Sequence, residues 1–259
     1  LHALMAVAPI PVRPDRLLAA CPPGEEHDLA LLMLSFILRW HGWDVVYLGA
    51  NVPLDQLDAT LKSTGARLVL SVAQTLPGAA ALCELSAFLD TQSIPLAYSG
   101  GIFNQIPDLI RRIHAHFLGR DLAAVSTVVD NLLTNPLPLP LIEAPSESYR
   151  IALESFKTKE GLIISSVDRA LQNSQTDPRH LQEANYHLSR AISSALLLGE
   201  ISLLDHSISW LDGLLSNYAY PKLQAREYYS VYLQTVQQHL GSEAGPLLGW
   251  FQKTTQKQG

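Results

Sequence analysis

Cysteine is scarce in this chain: Cys21 and Cys83 are the two in 259 residues. They form no C-x-x-C pair, which argues against a zinc ribbon or a disulfide framework and leads to the expectation of a reducing cytoplasm. Charge is also scarce, at 16% of residues with a net of −6, so nucleic-acid binding by the bulk charge of this segment is not expected. No apolar run reaches the roughly 18 residues of a membrane span. The opening LHALMAVAPIPVRP lacks a basic n-region, so no signal peptide is read there. Residues 1–13 read as the end of an upstream helix followed by a linker, and a start at Leu1 is what a fragment or processed product would show. Three signatures are missing. There is no G-x-G-x-x-G, which weakens a dinucleotide reading, and no G-x-S-x-G elbow of a hydrolase. There is also no phosphoacceptor aspartate where a receiver domain would carry one, because Ser71 stands at the end of the third strand.

The chain does have a 47% hydrophobic composition, enough for a sizeable core. Residues 15–133 alternate short apolar runs with amphipathic helices. Strands are expected at 15–21, 43–49, 66–73, 94–101 and, weakly, 115–119. The helices between and after them are expected at 29–42, 54–65, 77–92, around 105–113 and at 121–133. In the first helix Leu29, Leu32, Met33, Phe36, Ile37 and Trp40 share one side, with Gly42 as the stop. Five β-α units in succession imply a doubly wound, five-stranded parallel α/β sheet whose ligand edge lies beyond the carboxyl ends of the strands.

TNPLPLPLIEAP, with four prolines in twelve residues, is an extended linker. The strand signal then disappears. Helices are expected at 147–172, 178–199, 201–217 and 221–240, with a fifth at 243–255, so the second part is an all-helical bundle. The third helix keeps Ile201, Leu204, Ile208, Leu211 and Leu215 on one face. The domains are therefore 14–133, a linker over 134–146, and 147–259.

One stretch is chemically loaded. CPPGEEHDLALL places Glu25, Glu26, His27 and Asp28 at the mouth of a helix. The simple reading is that the acids favour a helix N-terminus through its macrodipole and that His27 is a polar loop residue. The other is that the histidine is held there to bind something, because the first β-α turn of a doubly wound sheet is a ligand edge.

The residues on that edge resemble the cobalamin (vitamin B12) binding domains. Their motif D/E-x-H-x-x-G after the first strand matches Glu25-Glu26-His27-Asp28-Leu29-Ala30, with Ala30 where the family has its glycine. Their S-x-L/V turn after the third strand matches Ser71-Val72-Ala73, and their Gly-Gly after the fourth matches Gly100-Gly101. The PPGE-x-H lead-in, Tyr47-Leu48-Gly49 and Pro53 are similar to the light-sensing CarH-type regulators, and the likeness covers about residues 10–133. The resemblance implies a Rossmann-like B12-binding fold, adenosylcobalamin or another B12 form as cofactor, and His27 as the lower axial ligand of cobalt. It implies that Glu25 orients the imidazole. Glu26, Asp28, Leu29, Ala30, Tyr47, Leu48, Gly49, Ser71, Val72, Ala73, Gly100, Gly101, Gly119 and Arg120 would then lie near the corrin or its nucleotide tail.

A B12 domain followed by helices is similar in order to the photocobilins, which add a globin-like domain for a linear tetrapyrrole such as biliverdin. That likeness is architectural. The candidates for a bilin are Asp205, His206, Trp210, Arg226 and Tyr229, set against the plainer reading of such aromatics as core. Beyond Cys83 there is no cysteine for a covalent thioether. The function expected is a cobalamin-binding, light-responsive regulatory sensor rather than an enzyme. It would be a homo-oligomer with an output or DNA-binding domain outside this chain, and with no membrane partner. A corrinoid methyl carrier and a B12-fold interaction module without ligand are the alternatives.

Overall fold

The computed structural model describes residues 8–135, 137–172, 178–208, 211, 213 and 225–257. The chain divides into two compact units, Leu1–Glu143 and Ala144–Gly259. The division falls inside the proline-rich linker.

Unit one is the doubly wound sheet. Its strands are β1 (Arg16–Ala20), β2 (Asp44–Gly49), β3 (Leu68–Val72), β4 (Leu96–Ser99) and the short β5 (His116–Phe117). They lie in the order β2-β1-β3-β4-β5, and every pairing is parallel. The helices are α1 (Leu29–Trp40), α2 (Leu54–Thr64), α3 (Leu76–Asp90), the single turn α4 (Ile102–Gln105) and α5 (Val125–Thr134). β3 is buried along its whole length, as a parallel strand covered on both faces must be. Leu17, Leu70, Leu34, Leu38, Trp43, Val125 and Val129 belong to one core cluster joining the sheet to α1 and α5. Gly65 stops α2 in the left-handed region at φ 65°.

Three expectations need correction here. The 105–113 helix is instead α4 followed by a 3₁₀ turn over Pro107–Arg112. Pro107 has no N–H to continue the helix. The last helix of the unit starts at Val125 rather than 121. The buried face of α1 is Leu31, Leu32, Leu34, Ser35 and Leu38, so within the expected set Leu32 alone is buried. Leu29, Met33 and Trp40 are exposed, with Trp40 at 58%. Trp43, three residues beyond, is buried and donates to Ser126 Oγ at 3.1 Å, while the Arg13 guanidinium lies 4.3 Å from its ring centre.

Unit two is helical: α6 (Glu147–Leu171), α7 (Pro178–Leu197), α8 (Ala225–Leu240) and α9 (Pro246–Lys257), with 3₁₀ turns at Ile201–Leu204 and Gly241–Ala244. The expected third helix thus opens as a 3₁₀ turn. Glu200 fixes it by accepting from the Ser202 amide at 3.2 Å. Leu204 and Leu211 of its expected face are buried; Leu215 lies outside the described residues. Tyr228, Tyr229, Tyr232, Phe156 and Phe251 are fully buried. Tyr228 donates to Asn185 Oδ1 at 2.8 Å, Asn185 donates to Asp168 at 2.7 Å, and Ser189 and Tyr232 share a hydrogen bond of 3.1 Å. Among the described residues no helix is long and apolar enough to cross a membrane.

Candidate functional site

The strand order reverses between β1 and β3, which places a crevice at their carboxyl ends. The loop after β1 carries residues 21–28 and the loop after β3 carries Ala73, Gln74 and Thr75. Glu25 joins the two. It is 1% exposed, and a carboxylate at that depth must be fully hydrogen-bonded. Oε2 accepts from the Gln74 amide at 2.9 Å, the Thr75 amide at 3.3 Å and Thr75 Oγ1 at 3.2 Å. The negative charge therefore sits at the N-terminus of α3, where the helix dipole favours it. Thr75 is also the N-cap of α3, accepting from the Gly78 amide at 3.1 Å. Gly78 has to be glycine here, because a Cβ at that position would collide with Glu25 Oε2.

Glu25 Oε1 faces the other way, toward His27. It accepts from the His27 amide at 3.1 Å and lies 2.7 Å from His27 Nδ1. A carboxylate can only accept, so Nδ1 carries the proton and Nε2 of the neutral ring keeps its lone pair. The His27 side chain is 65% exposed. The result is an outward imidazole with a fixed tautomer, oriented by a buried acid.

The acids of this loop do not cap α1 with their side chains. Asp28 is its N-cap by position but makes no side-chain cap, and no acid stands in the first turn. Asp28 instead accepts from Tyr47 Oη at 2.7 Å. That bond, after burial, is a cause of the raised Tyr47 pKa. Glu26 is exposed and accepts from Asn51 Nδ2 at 2.8 Å. The neighbouring Cys21 thiol is pushed up to about 12 by burial and then by the charges of Glu25, Asp28 and Glu26, so it stays protonated at neutral pH. Gly49, at φ 91°, closes β2 where the register with β1 slips by one residue. Such bulges are common beside sites.

Of the other expected residues, Ser71 is buried and donates to the Ala20 carbonyl at 2.7 Å, tying β3 to β1. Val72 and Ala73 are buried; Leu48 is half-buried and Leu29 exposed. The Ala30 side chain packs against the core cluster. Gly100, at φ 139°, lies so close to the Ala73 carbonyl that no Cβ fits, and the Gly101 amide donates to Gln74 Oε1 at 3.0 Å. Gly119, at φ 87°, has open space where a Cβ would stand. Arg120 is exposed and reaches the Phe103 carbonyl at 3.3 Å. The loops after all five strands thus share one edge, but His27, Glu25, Gln74 and Thr75 are the linked set. Asn51, Gln74 and Thr75 stand at strand ends where the sequence places the ligand edge, within 50–52 and 71–75, but with no role of their own legible there; Gly78 was missed. Their signal was faint: a threonine and then Pro77-Gly78 at a helix start, and an asparagine two residues after Gly49.

In unit two, Asp205 accepts from Trp250 Nε1 at 2.9 Å, and the Tyr229 ring lies 6.3 Å from that of Trp250. Asp205, His206 and Arg226 are exposed, and Tyr229 is buried core. Trp210 lies outside the described residues. His187, Leu188, Leu204, Ser207, Ile208, Leu211 and Trp250 line a cavity of about 20 Å³, room for about one water. His239 is half-buried, with its Nε2 3.0 Å from Ser166 Oγ. Among the described residues no group of three or more His, Cys, Asp or Glu side chains could hold a metal ion by itself.

Unit one is a doubly wound domain with an imidazole–carboxylate pair at its switch point. Residues 15–127 match the family model of the B12 binding domain. The chain is 46% identical over 48 residues to the HTH-type transcriptional repressor CarA of Myxococcus xanthus, a match that spans 18% of this chain and 16% of that protein. Among solved structures, it is similar to a cobalamin-binding protein from Desulfitobacterium hafniense, at 16% identity and a TM-score of 0.41. That match covers 45% of this chain and 58% of the other. It is also similar to the methanol:cobalamin methyltransferase complex MtaBC of Methanosarcina barkeri, at 22% identity and a TM-score of 0.43, covering 48% of each chain.

Proposed function

We propose that unit one binds a corrinoid, with Nε2 of His27 as the lower ligand of cobalt, and that the chain works as a regulatory sensor. The observation that carries this reading is the Glu25–His27 pair: an exposed imidazole whose Nδ1 is held at 2.7 Å by a buried carboxylate. Neutral imidazole is a good cobalt ligand, and an acceptor on the second nitrogen fixes its tautomer and raises its basicity. The residues present fit the group in this respect. Glu25 would hold the proton at Nδ1 and keep the ring turned outward. Gln74 and Thr75 would keep that acid anchored. When bound, an alkylated corrinoid supplies a light-labile cobalt–carbon bond or, in its methylated form, a transferable methyl group.

The regulatory half of the reading draws on the likeness to a transcriptional repressor, with the output domain outside this segment. The methyl carrier is the competing use of the same site. A linear tetrapyrrole in unit two is not part of the proposal, because no observation among the described residues favours one.

The test is an absorption spectrum of the protein incubated with adenosylcobalamin and with methylcobalamin, before and after illumination. A bound corrinoid spectrum that shifts on illumination, together with a change in assembly state, is the expected result. A bound corrinoid whose photolysis leaves the assembly state unchanged, and which passes its methyl group to a thiol acceptor in the dark, would favour the carrier. A protein that stays colourless would overturn both.

A further inference from the structure

Asn51 holds three successive residues of the histidine loop. Its Oδ1 accepts from the Gly24 amide at 2.8 Å, its own amide donates to the Glu25 carbonyl at 2.9 Å, and its Nδ2 donates to Glu26 Oε1 at 2.8 Å. To do this the residue takes φ 48°, in the left-handed region. Among non-glycine residues asparagine tolerates that region best, and strained backbone that persists is held by its surroundings. The neighbouring Val52 amide donates to the Cys21 carbonyl at 3.2 Å, so the turn after β2 is stitched to the loop at both ends.

We infer that Asn51 is a positioning residue for His27: by clamping Gly24, Glu25 and Glu26 it fixes where Glu25 enters the crevice and therefore where the imidazole stands. This rests on the proposed cobalt ligation for its consequence, but not for its geometry. Glu25 is held through its carboxylate by the α3 N-terminus, and its two neighbours, Gly24 and Glu26, are held by the Asn51 side chain. Loss of either hold lets the carboxylate swing, and with it the ring. Asn51 touches no ligand atom and acts only through the loop. A direct outer-shell partner such as Glu25 is worth about 10-fold or more in metal affinity, and Asn51 acts by keeping that partner in place.

The experiment uses the full chain as wild type, Asn51→Gly and Asn51→Asp. Glycine keeps the left-handed backbone and the main-chain hydrogen bond to the Glu25 carbonyl, and deletes both side-chain hydrogen bonds. Aspartate keeps the acceptor for Gly24, loses the donor to Glu26 and adds a like charge beside it. Each protein is loaded with cobalamin, reduced to the cob(II) state and examined by electron paramagnetic resonance with natural-abundance and ¹⁵N-labelled histidine. Histidine ligation changes the nitrogen splitting from a triplet to a doublet on labelling. The expected result is doublet splitting in the wild type, binding about 10-fold weaker with loss of that splitting in Asn51→Gly, and partial recovery in Asn51→Asp. In a second arm without cobalamin, amide exchange of Glu25 and His27 should quicken about tenfold in Asn51→Gly, as ordinary hydrogen bonds are lost. A wild type that ligates through histidine beside an Asn51→Gly variant with the same splitting and affinity overturns the inference. A wild type without histidine splitting removes the cobalt reading alone. The exchange arm then decides: faster exchange upholds the clamp, and unchanged exchange overturns it.

Discussion

The two units of this chain bury polar groups in different ways. In unit two the buried groups close on one another or on a half-buried acid: Tyr228 on Asn185, Ser189 on Tyr232, and Asn185 on Asp168. All the donors and acceptors come from helices packed side by side, and such a network fixes the packing of a core. In unit one the buried Glu25 gathers donors from two loops, and one oxygen is left for a histidine that is mostly in solvent. A closed network specifies a fold. An open one, in which a buried charge ends on an exposed and chemically capable side chain, specifies a site.

The largest effect expected from breaking this contrast is at Glu25. Glu25→Ala strands the Gln74 and Thr75 donors and should cost about 3 kcal/mol, within the penalty for leaving buried partners unmet. It should also abolish histidine ligation. Urea unfolding and the cobalt spectrum measure the two, and a variant as stable as wild type would show that Glu25 is no anchor. Asn185→Ala is the counterpart in unit two. It leaves Tyr228 and Asp168 unpartnered and should cost about 2 kcal/mol while leaving the corrinoid spectrum unchanged; a spectral shift would show that the contrast between the units is wrong. His27→Ala reverses that pattern. As the side chain is mostly exposed, stability should move by less than about 0.5 kcal/mol, while imidazole splitting vanishes from the spectrum of the cob(II) form.

The smallest effect is a matter of pH. Burial raises the Asp168 carboxyl above its ordinary 3.8, against the opposing pull of the Asn185 hydrogen bond. The folded state then holds the proton more tightly than the unfolded one. This contribution to stability is complete below 3.8 and is lost as pH rises through the raised value. Asp168→Asn should flatten the stability slope across that acid window in denaturant titrations at successive pH values. An unchanged slope would assign it to other carboxylates.

Much of the fold was legible because parallel strands with both faces covered read as short apolar runs, and LVLSV of β3 is such a run. The face of α1 was not. Leu29, Leu31, Leu32, Met33, Leu34, Phe36, Ile37, Leu38 and Trp40 leave almost no polar side, so periodicity had nothing to mark. The sheet alone selects Leu31, Leu34 and Leu38. At the site, Glu25 and His27 could be read because they are local to the first β-α turn. Asn51 stands 25 residues from its Glu26 partner and Thr75 stands 50 from Glu25. Strand order brings them together, and no spacing rule in one sequence contains it.

The pairing of Trp40 and Trp43 at the end of α1 has an optical consequence. One indole is open to water and the other is sealed beneath Arg13 with its N–H bound to Ser126. A soluble quencher such as iodide should reach the first and spare the second. Unit one therefore carries a reporter and an internal reference three residues apart, and anything that covers the outer face of α1 should lower the share of the chain's fluorescence that the quencher reaches.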